Sequence, residues 1–305
     1  MSVLRRILSS SAINHLVRNT ARVVLPKDRQ DTFDRRLPLI DNFDVRLPNG
    51  RILHWSPQGD IVSKWIKYDG WNGYEPTSTQ LFYTLAQHSR VVFDVGAYLG
   101  YFALLGAAAR EGNQAFAFEA VPKLAECCRK IAAMNPDLRV EVISAAVCRT
   151  TGTIDLYLGD GDAFKASDTS TSATFRPNRK ATKVDAIGLD EFIQRRGIPR
   201  VDLMKIDTET TEPEVLAGMR ACIARWKPTI LIEVLNVAPV DQLQSFLDEN
   251  DYACAWVTPD GLLHRDRLEA DPTCKYPNYL FYARDGSTEV AAAAKAMVRF
   301  DQLST

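Results

Sequence analysis

The sequence predicts an α/β fold built on a doubly wound, mostly parallel sheet of seven strands. From Arg90 to Glu119, an apolar run leads into a glycine turn, an apolar segment of helical length and a second apolar run. This is the order of a strand–helix–strand unit. Further apolar runs of strand length alternate with helical patterns as far as residue 283. Parallel strands are covered by helices on both faces, so continuously apolar runs are expected for them.

The strands and helices can be placed along the chain from this pattern. We expect the seven strands at residues 91–93, 115–118, 140–146, 201–206, 229–234, 253–257 and 279–283. The last two should form an antiparallel pair joined by a loop that holds His264. We expect helices at residues 76–89, 122–135, 212–225 and 242–249. A further strand pair, 153–158 with 183–187, flanks a polar stretch at 159–180 that is typical of a lid or binding loop.

Four regions are predicted: a basic helix and linker at 1–40, a small β addition at 41–75, the main α/β domain at 76–285 and a C-terminal helix at 286–305. The first 27 residues contain five Lys and Arg and no acid. An organelle transit peptide can have this composition. We favour an amphipathic helix that packs on the domain or on a partner. The apolar residues that would make this contact are Leu4, Ile7, Leu8 and Leu16.

Composition narrows the class of protein. The 305 residues are 46% hydrophobic and 25% charged, as in a soluble globular protein, and the net charge of −1 gives no reason to expect nucleic acid or an anionic membrane as a partner. No run of 18 apolar residues is present, so no transmembrane segment is expected. The six cysteines lack metal-ligand spacing, which argues against a zinc site, and no resident metal is expected. A core of this size needs no disulfide framework, so we expect buried free thiols and a reducing, cytoplasmic location. The sequence leaves open whether the protein forms a homodimer.

The glycine turn indicates a nucleoside site. Dinucleotide sites use G-x-G-x-x-G, whereas here Gly96 and Gly100 enclose Ala97, Tyr98 and Leu99. Asp94, two residues before the turn, would repel a pyrophosphate but suits a cation such as the amino group of S-adenosylmethionine. Glu119 ends the next strand, where an acid can accept hydrogen bonds from ribose hydroxyls.

The wider pattern resembles the FkbM family of methyltransferases from about Tyr74 to Leu235. The motifs are VVFDVGAYLGYFAL, AFAFEAVP, VISAAV, VDLMKIDTETTEPEVLAGM and KPTILIEVL. The resemblance implies a Rossmann-like class I fold, S-adenosylmethionine as cofactor and methylation of sugar or natural-product hydroxyls. Thr210 replaces the usual glycine, and we expect the turn there to be reshaped because a β-branched residue avoids glycine conformations. Together the turn and the resemblance give these cofactor-binding residues: Glu75, Asp94, Gly96, Ala97, Tyr98, Gly100, Tyr101, Glu119, Ala120, Ala145, Ala146 and Asp207.

Carboxylates at strand ends are the candidates for catalysis. Methyl transfer to an alcohol needs alignment of the two reactants and removal of the hydroxyl proton. Asp207 and Glu209 are the first candidates for the base, followed by Glu233. Lys205 could balance these charges or point to the opposite face of its strand. The same three acids could instead hold a divalent cation, although we favour no metal.

The acceptor is expected to be a small molecule or a glycan, but no residue pattern identifies it, and methylation of a carboxyl, an amide nitrogen or a peptide stays open. We place its recognition in the polar stretch, at residues that include Ser172 and Thr174, and at Glu212. Two other classes of function stay open. One is a nucleotide-dependent enzyme of another type, which would bind NAD. The other is a non-catalytic binding protein that keeps the fold, an alternative favoured by Thr210 and opposed by the intact Asp94, Gly96 and Glu119.

Overall fold

The computed structural model describes residues 7, 10–158, 171 and 180–299, and all structural statements concern these residues. The chain forms two compact units, residues 1–75 and residues 76–305. The predicted substrate-binding residues Ser172 and Thr174 lie outside the described residues.

The N-terminal unit combines a β-hairpin with three helices. The hairpin consists of β1 (Phe43–Arg46) and β2 (Ile52–Trp55), which pair antiparallel as the sequence predicted. The helices are α1 (Ser11–Val24), α2 (Lys27–Arg36) and α3 (Ile61–Asp69). Asp60 caps α3, since its carboxylate accepts a hydrogen bond from Ser63 N at 2.7 Å.

Helix α2 corrects the prediction of a linker within residues 1–40, which we expected from residue 28 onward. Its sequence, KDRQDTFDRR, has no apolar stripe, so hydrophobic periodicity could not reveal it. Polar contacts to α1 hold it instead. Asp34 forms an ion pair with Arg18 at 2.9 Å, and Gln30 Nε2 donates to the carbonyl oxygens of Arg22 and Leu25.

The C-terminal unit is organised around a nine-stranded sheet in the order β14-β12-β11-β13-β10-β9-β3-β4-β5. The strands are β3 (Val91–Val95), β4 (Gln114–Phe118), β5 (Arg139–Ile143), β9 (Leu203–Ile206), β10 (Thr229–Glu233), β11 (Tyr252–Thr258), β12 (Gly261–Arg265), β13 (Asn278–Ala283) and β14 (Val298–Arg299). The five from β5 to β10 are parallel, and β13 and β11 follow as an antiparallel pair. The predicted α/β class with a mostly parallel sheet is confirmed.

The seven predicted strands form a contiguous part of this sheet, and two short strands extend one edge. Strand β12 contains His264, which we had placed in a loop, and it pairs antiparallel with β11. Strand β14 pairs with β12 and occupies residues that we had assigned to the C-terminal helix. Strand β14 has only two residues, and β12 (GLLHR) has only two apolar residues, so neither gives a clear strand pattern.

Eight helices of the C-terminal unit lie in the described ranges: α4 (Pro76–Ala86), α5 (Tyr101–Ala108), α6 (Pro122–Ala133), α7 (Leu189–Arg196), α8 (Glu212–Ala217), α9 (Arg220–Trp226), α10 (Val240–Asn250) and α11 (Glu289–Met297). The predicted single helix at 212–225 is therefore two helices. The break includes Gly218, where a Cβ atom would lie 2.2 Å from the carbonyl oxygen of Cys148. This close backbone packing diverts the chain, and sequence periodicity gives no sign of it.

A separate three-stranded sheet contains β6 (Ala146–Val147), β7 (Gly152–Leu158) and β8 (Lys180–Ile187). Strands β7 and β8 pair antiparallel, as predicted. The predicted strand at 140–146 was too long, because the chain leaves the large sheet after Ile143 and joins this smaller one at Ala146. No helix in the described part of the chain is long and apolar enough to cross a membrane.

The order of the parallel strands creates a crevice at the carboxyl ends of the central strands of the large sheet. After β3 the chain moves outward through β4 and β5, and then returns to β9 on the other side of β3. Ligands of open α/β sheets bind at the carboxyl ends of the strands where the order reverses in this way. Phe93 of β3 makes edge-to-face contacts with Phe116 of β4 and with Phe192 of α7. These contacts pack α7 against the strands that lead to the crevice.

Candidate active site

Four strand ends meet at one level in the large sheet. Val95 of β3 is in register with Phe118 of β4 and with Ile206 of β9, and Ile206 is in register with Ile232 of β10. The next residue on each strand belongs to the candidate site. These residues are Gly96, Glu119, Asp207 and Glu233. The sheet therefore brings together the residues that the sequence had suggested only by their positions at strand ends.

The turn after β3 connects its neighbours through backbone contacts. The amides of Gly96 and Ala97 both donate to the carbonyl oxygen of Phe118, at 3.0 and 2.9 Å. Gly96 has a φ of 79°, and a Cβ atom built on it would lie 1.7 Å from the carbonyl oxygen of Asp207. Only glycine can occupy this position without displacing β9. Gly100 has a φ of 80°, and a Cβ there would meet Cys128 Sγ at 2.4 Å.

Asp94 supports this turn from within the fold. Its side chain is buried, and Oδ2 accepts a hydrogen bond from Ala103 N in the first turn of α5 at 2.9 Å. An anionic group is favourable beside the free amides and positive dipole of a helix N-terminus. The carboxylate therefore has a structural partner in addition to the ligand role that the sequence suggests. Tyr101, which opens α5, is also buried, and burial raises the pKa of its hydroxyl strongly.

Glu119 is anchored at the edge of the crevice by two backbone amides. Oε2 accepts from Tyr98 N at 2.7 Å and Oε1 from Val121 N at 2.8 Å. Burial raises the pKa of this carboxyl to about 7, although the two hydrogen bonds act to lower it. Each oxygen can accept a second hydrogen bond. The two oxygens are thus held in a fixed orientation in which a ribose diol could donate to them.

Two small residues that the sequence predicted for the cofactor site lie after β5. Ala145 and Ala146 are buried, and they lie two and three residues after Ile143, the last residue of β5. Glu119 N donates to the carbonyl oxygen of Ile143 at 3.0 Å, so the end of β5 lies beside Glu119. Their proposed contact with an adenine stays a prediction. Glu75, the other expected cofactor residue, belongs to the N-terminal unit, and its role also stays a prediction.

Lys205 lies on the acidic side of its strand, which settles the alternative that the sequence left open. Its ammonium group is 3.1 Å from Asp207 Oδ2 and 3.1 Å from Asn278 Oδ1, and it lies 5.6 Å from the centre of the Phe102 ring. The side chain is fully buried. A buried ammonium needs such partners. Asn278 was not predicted, because it is 73 residues from Lys205 in sequence and reaches it only when β13 pairs with β10.

Three carboxylates converge above this ion pair. One oxygen from each of Asp207, Glu209 and Glu233 lies within 4.8 Å of the others. All three side chains are half-buried. Such a group of oxygens can accept a proton from a hydroxyl or coordinate a hard cation such as Mg²⁺. The absence of a resident metal remains a prediction.

The loop that carries Glu209 has backbone conformations that favour glycine. Glu209 has a φ of 55° and Thr210 a φ of 82°. We expected Thr210 to reshape this turn, but the structure holds it in a left-handed conformation. Glu212 stabilises the loop, since its Oε1 accepts from Thr208 N at 3.0 Å and from Thr210 N at 3.2 Å. These hydrogen bonds offset part of the strain of a β-branched residue at positive φ.

Glu212 was predicted to bind the acceptor, and its surroundings give it a structural contact as well. It is 1% exposed, and burial raises its pKa to about 7, with a smaller contribution from the nearby charge of Asp207. Oε2 has no hydrogen-bond partner among the described residues. An ionised carboxylate is costly in such a position.

Glu212→Gln is expected to change how stability depends on pH. The folded-state pKa of Glu212 is near 7 and its ordinary value is 4.5. The folded protein therefore holds this proton more tightly, and the carboxyl lowers the free energy of unfolding as the pH rises from 4.5 to 7. The glutamine cannot titrate, so the variant should gain about 2 kcal/mol relative to wild type across that window. Urea denaturation at pH 5, 6, 7 and 8 measures this difference.

Glu214→Gln is the matched control, because Glu214 is exposed and pairs with Arg149 at 3.0 Å. The difference in the free energy of unfolding between Glu214→Gln and wild type should change little between pH 5 and 8. Parallel pH curves for wild type and Glu212→Gln would show that Glu212 is ionised in the folded protein throughout this range.

His264 is not part of the site. It lies on β12, which is separated from β10 by β11 and β13. Its Nε2 is 3.2 Å from Asp266.

A comparison with known families places these residues in context. The family described as "Methyltransferase FkbM domain" matches residues 94–254, which is more than half of the chain. The chain belongs to the FkbM methyltransferase family. The FkbM domain begins at Asp94 and includes the glycine turn, Glu119, Lys205 and the three converging carboxylates. The family predicted from the sequence motifs is confirmed.

Individual relatives extend the comparison. The chain is 28% identical over 168 residues to the 2-O-methyltransferase NoeI of Sinorhizobium fredii (strain NBRC 101917 / NGR234). The aligned region covers 50% of this chain and 68% of NoeI. The solved FkbM methyltransferase of Methylobacillus flagellatus KT is 17% identical with a TM-score of 0.41, over 64% of this chain and 44% of that one. The chain thus spans less than half of that relative. An O-methyltransferase of Bacillus cereus in complex with SAH is 14% identical with a TM-score of 0.40, over 86% of this chain and 94% of that one.

Proposed function

We propose that this FkbM domain is an S-adenosylmethionine-dependent O-methyltransferase that acts on a hydroxyl group of a sugar, a glycan or another small molecule. The observation that carries the proposal is the arrangement on adjacent strands. An anchored carboxylate at Glu119 and a lysine-bound carboxylate at Asp207 flank the glycine turn at Gly96. One can hold a ribose while the other receives a proton.

The residues around the turn fit this cofactor. Glu119 presents two fixed oxygens that can each accept a ribose hydroxyl. The turn lacks the second glycine that lets a pyrophosphate approach, and Tyr98 stands in its place with a φ of 53°. A dinucleotide is therefore disfavoured. When bound, the cofactor supplies a methyl group on a cationic sulfur, which an oxygen nucleophile can attack in line.

The contribution of the chain is alignment and proton removal. As the acceptor oxygen forms its bond to the methyl group, the hydroxyl proton must leave for a base within hydrogen-bond reach. Lys205 fixes Asp207 through Oδ2, which leaves Oδ1 to accept that proton. Glu209 and Glu233 lie close enough to orient the acceptor through hydrogen bonds from its other hydroxyls. A sugar diol suits such a cluster of acceptors.

The acceptor class rests on two considerations. The name of NoeI specifies 2-O-methylation, which supports a hydroxyl rather than an amine or a carboxyl acceptor. Three carboxylates facing one another also favour a neutral, polyhydroxylated ligand over an anionic one, because an anion would be repelled. We therefore place sugar and glycan hydroxyls first.

Calorimetric titration with S-adenosylhomocysteine, with NAD in parallel, tests the cofactor. We expect micromolar binding of S-adenosylhomocysteine, no binding of NAD, and a loss of affinity of about 30-fold in Glu119→Gln, since two charge-assisted hydrogen bonds weaken. Glu111→Gln, at an exposed residue, is the control and should bind as wild type. Binding of NAD alone would indicate another nucleotide-dependent enzyme. If folded protein binds neither ligand, the non-catalytic alternative becomes the better explanation.

A further inference from the structure

Helix α1 buries a polar face and exposes an apolar one. Its buried residues are Asn14, Arg18 and Ala21. Four aliphatic side chains on another face are exposed to solvent by 38%, 67%, 86% and 71%; they are Ile13, Leu16, Val23 and Val24. Their spacing of three, seven and one residues places them along one stripe, here called the aliphatic stripe. The sequence suggested that Leu16 packs on the domain or on a partner, and the structure leaves it exposed.

A polar network fixes this orientation. Arg18 Nε donates to Asn14 Oδ1 at 2.7 Å, and both side chains donate to the carbonyl oxygen of Pro38 at 3.0 Å. Arg18 also forms an ion pair with Asp34 at 2.9 Å, in which the two side chains are only 10% and 16% exposed. Rotating α1 to bury the aliphatic stripe would break these contacts and leave a desolvated cation unpaired. In this orientation the stripe stays exposed within the described part of the unit, and an external occupant can cover it.

The charge of the N-terminal unit indicates which kind of surface could cover the aliphatic stripe. Residues 1–75 contain 12 Lys and Arg against 8 Asp and Glu, whereas the rest of the chain contains 25 against 30. The near-neutral total therefore hides a basic N-terminal unit. The first acid in the sequence is Asp28. Arg22 and Lys27, at and just beyond the end of α1, are both exposed.

We propose that α1 docks on an anionic membrane surface, with the aliphatic stripe at the boundary of the acyl chains and the basic residues among the headgroups. A helix that lies in the interface in this way has an apolar face and a basic polar face. Each exposed Lys or Arg near an anionic leaflet strengthens binding several-fold. One helix with four exposed aliphatic side chains gives a modest affinity by itself, so binding should depend on anionic lipid.

Other occupants fit these features less well. A second copy of α1 packed stripe to stripe would bring two basic helices together, and like charges at the rim oppose such a dimer. Protein interfaces centre on buried Trp, Tyr and Arg anchors, whereas the stripe is aliphatic and contains no aromatic residue. An anionic lipid surface needs neither an aromatic anchor nor a shaped pocket.

Vesicle flotation with the full chain tests the proposal. Phosphatidylcholine vesicles with and without 30% phosphatidylserine, a composition chosen to give an anionic surface, should give binding only when phosphatidylserine is present. The double variant Leu16→Ser, Val23→Ser should weaken this binding about tenfold or more. Arg22→Gln with Lys27→Gln should also weaken it about tenfold. Asn19→Ser, at an exposed polar position of the same helix, should bind as wild type.

Circular dichroism and thermal unfolding of each variant separate lost binding from lost folding. Because the changed side chains are exposed, their melting temperatures should match wild type. Wild-type protein that fails to float with anionic vesicles, or floats equally with neutral ones, would overturn the proposal. Light scattering provides the remaining outcome. A dimer that Leu16→Ser, Val23→Ser dissociates would assign the stripe to a second copy instead.

Discussion

Replacing Gly96 with alanine should lower the free energy of unfolding by about 4 kcal/mol or more. The added Cβ atom would lie 1.7 Å from the carbonyl oxygen of Asp207, and this contact is with backbone rather than with a flexible side chain. The φ of 79° adds a second cost, because an L-residue with a side chain is strained there. Relief requires β3 and β9 to separate at their ends, where Asp207 N donates to the carbonyl oxygen of Val95.

Gly197→Ala separates the two costs. Gly197 ends α7 with a φ of 60°, and no atom lies within 4 Å of a Cβ built there. The Gly197→Ala variant should therefore lose only the part of the free energy of unfolding that comes from the strained backbone conformation, about 1 kcal/mol. Urea denaturation of both variants measures the difference. Equal losses in the two variants would mean that the strand ends can separate freely, and the proposed site would then lack a rigid base.

The sequence predicted the parts of the fold that depend on buried apolar runs. Each of the seven expected strands lies in the sheet, and the central ones are apolar throughout because helices cover both of their faces. Elements held by other forces were missed. Helix α2 depends on polar contacts such as that of Asp34 with Arg18. The break between α8 and α9 depends on the close approach of Gly218 to Cys148.

The candidate site shows the same division. The strand-end acids could be predicted from their positions after apolar runs, since parallel strands end at a common edge. The partners of these acids could not. Lys205 and Asp207 are two residues apart, so strand alternation favours one face for both, but β9 ends at Ile206 and the sequence alone did not show that Asp207 keeps the strand geometry. The contribution of Asn278 depends on antiparallel pairing, in which it lies opposite Glu233.

Replacing Asp207 with asparagine should lower kcat by on the order of 100-fold to 10,000-fold, the usual contribution of a general base. The amide has nearly the same shape, and its oxygen can still accept a hydrogen bond from Lys205. It cannot receive the proton of the acceptor hydroxyl. Affinity for S-adenosylhomocysteine should stay within about threefold of wild type, because Glu119 holds the ribose. Methyl transfer from labelled cofactor to the acceptor measures kcat, and calorimetry measures the affinity.

Two further variants make this result specific to Asp207. Asp241→Asn changes an aspartate that is 96% exposed and should leave kcat unchanged. Lys205→Met removes the group that fixes Oδ2 of Asp207 and should lower kcat while Asp207 itself is intact. If Asp207→Asn keeps full activity while Glu233→Gln loses it, the base lies one strand away on β10. The two carboxylates belong to the same cluster, so that outcome would move the proton acceptor by one strand and leave the site at the same edge of the sheet.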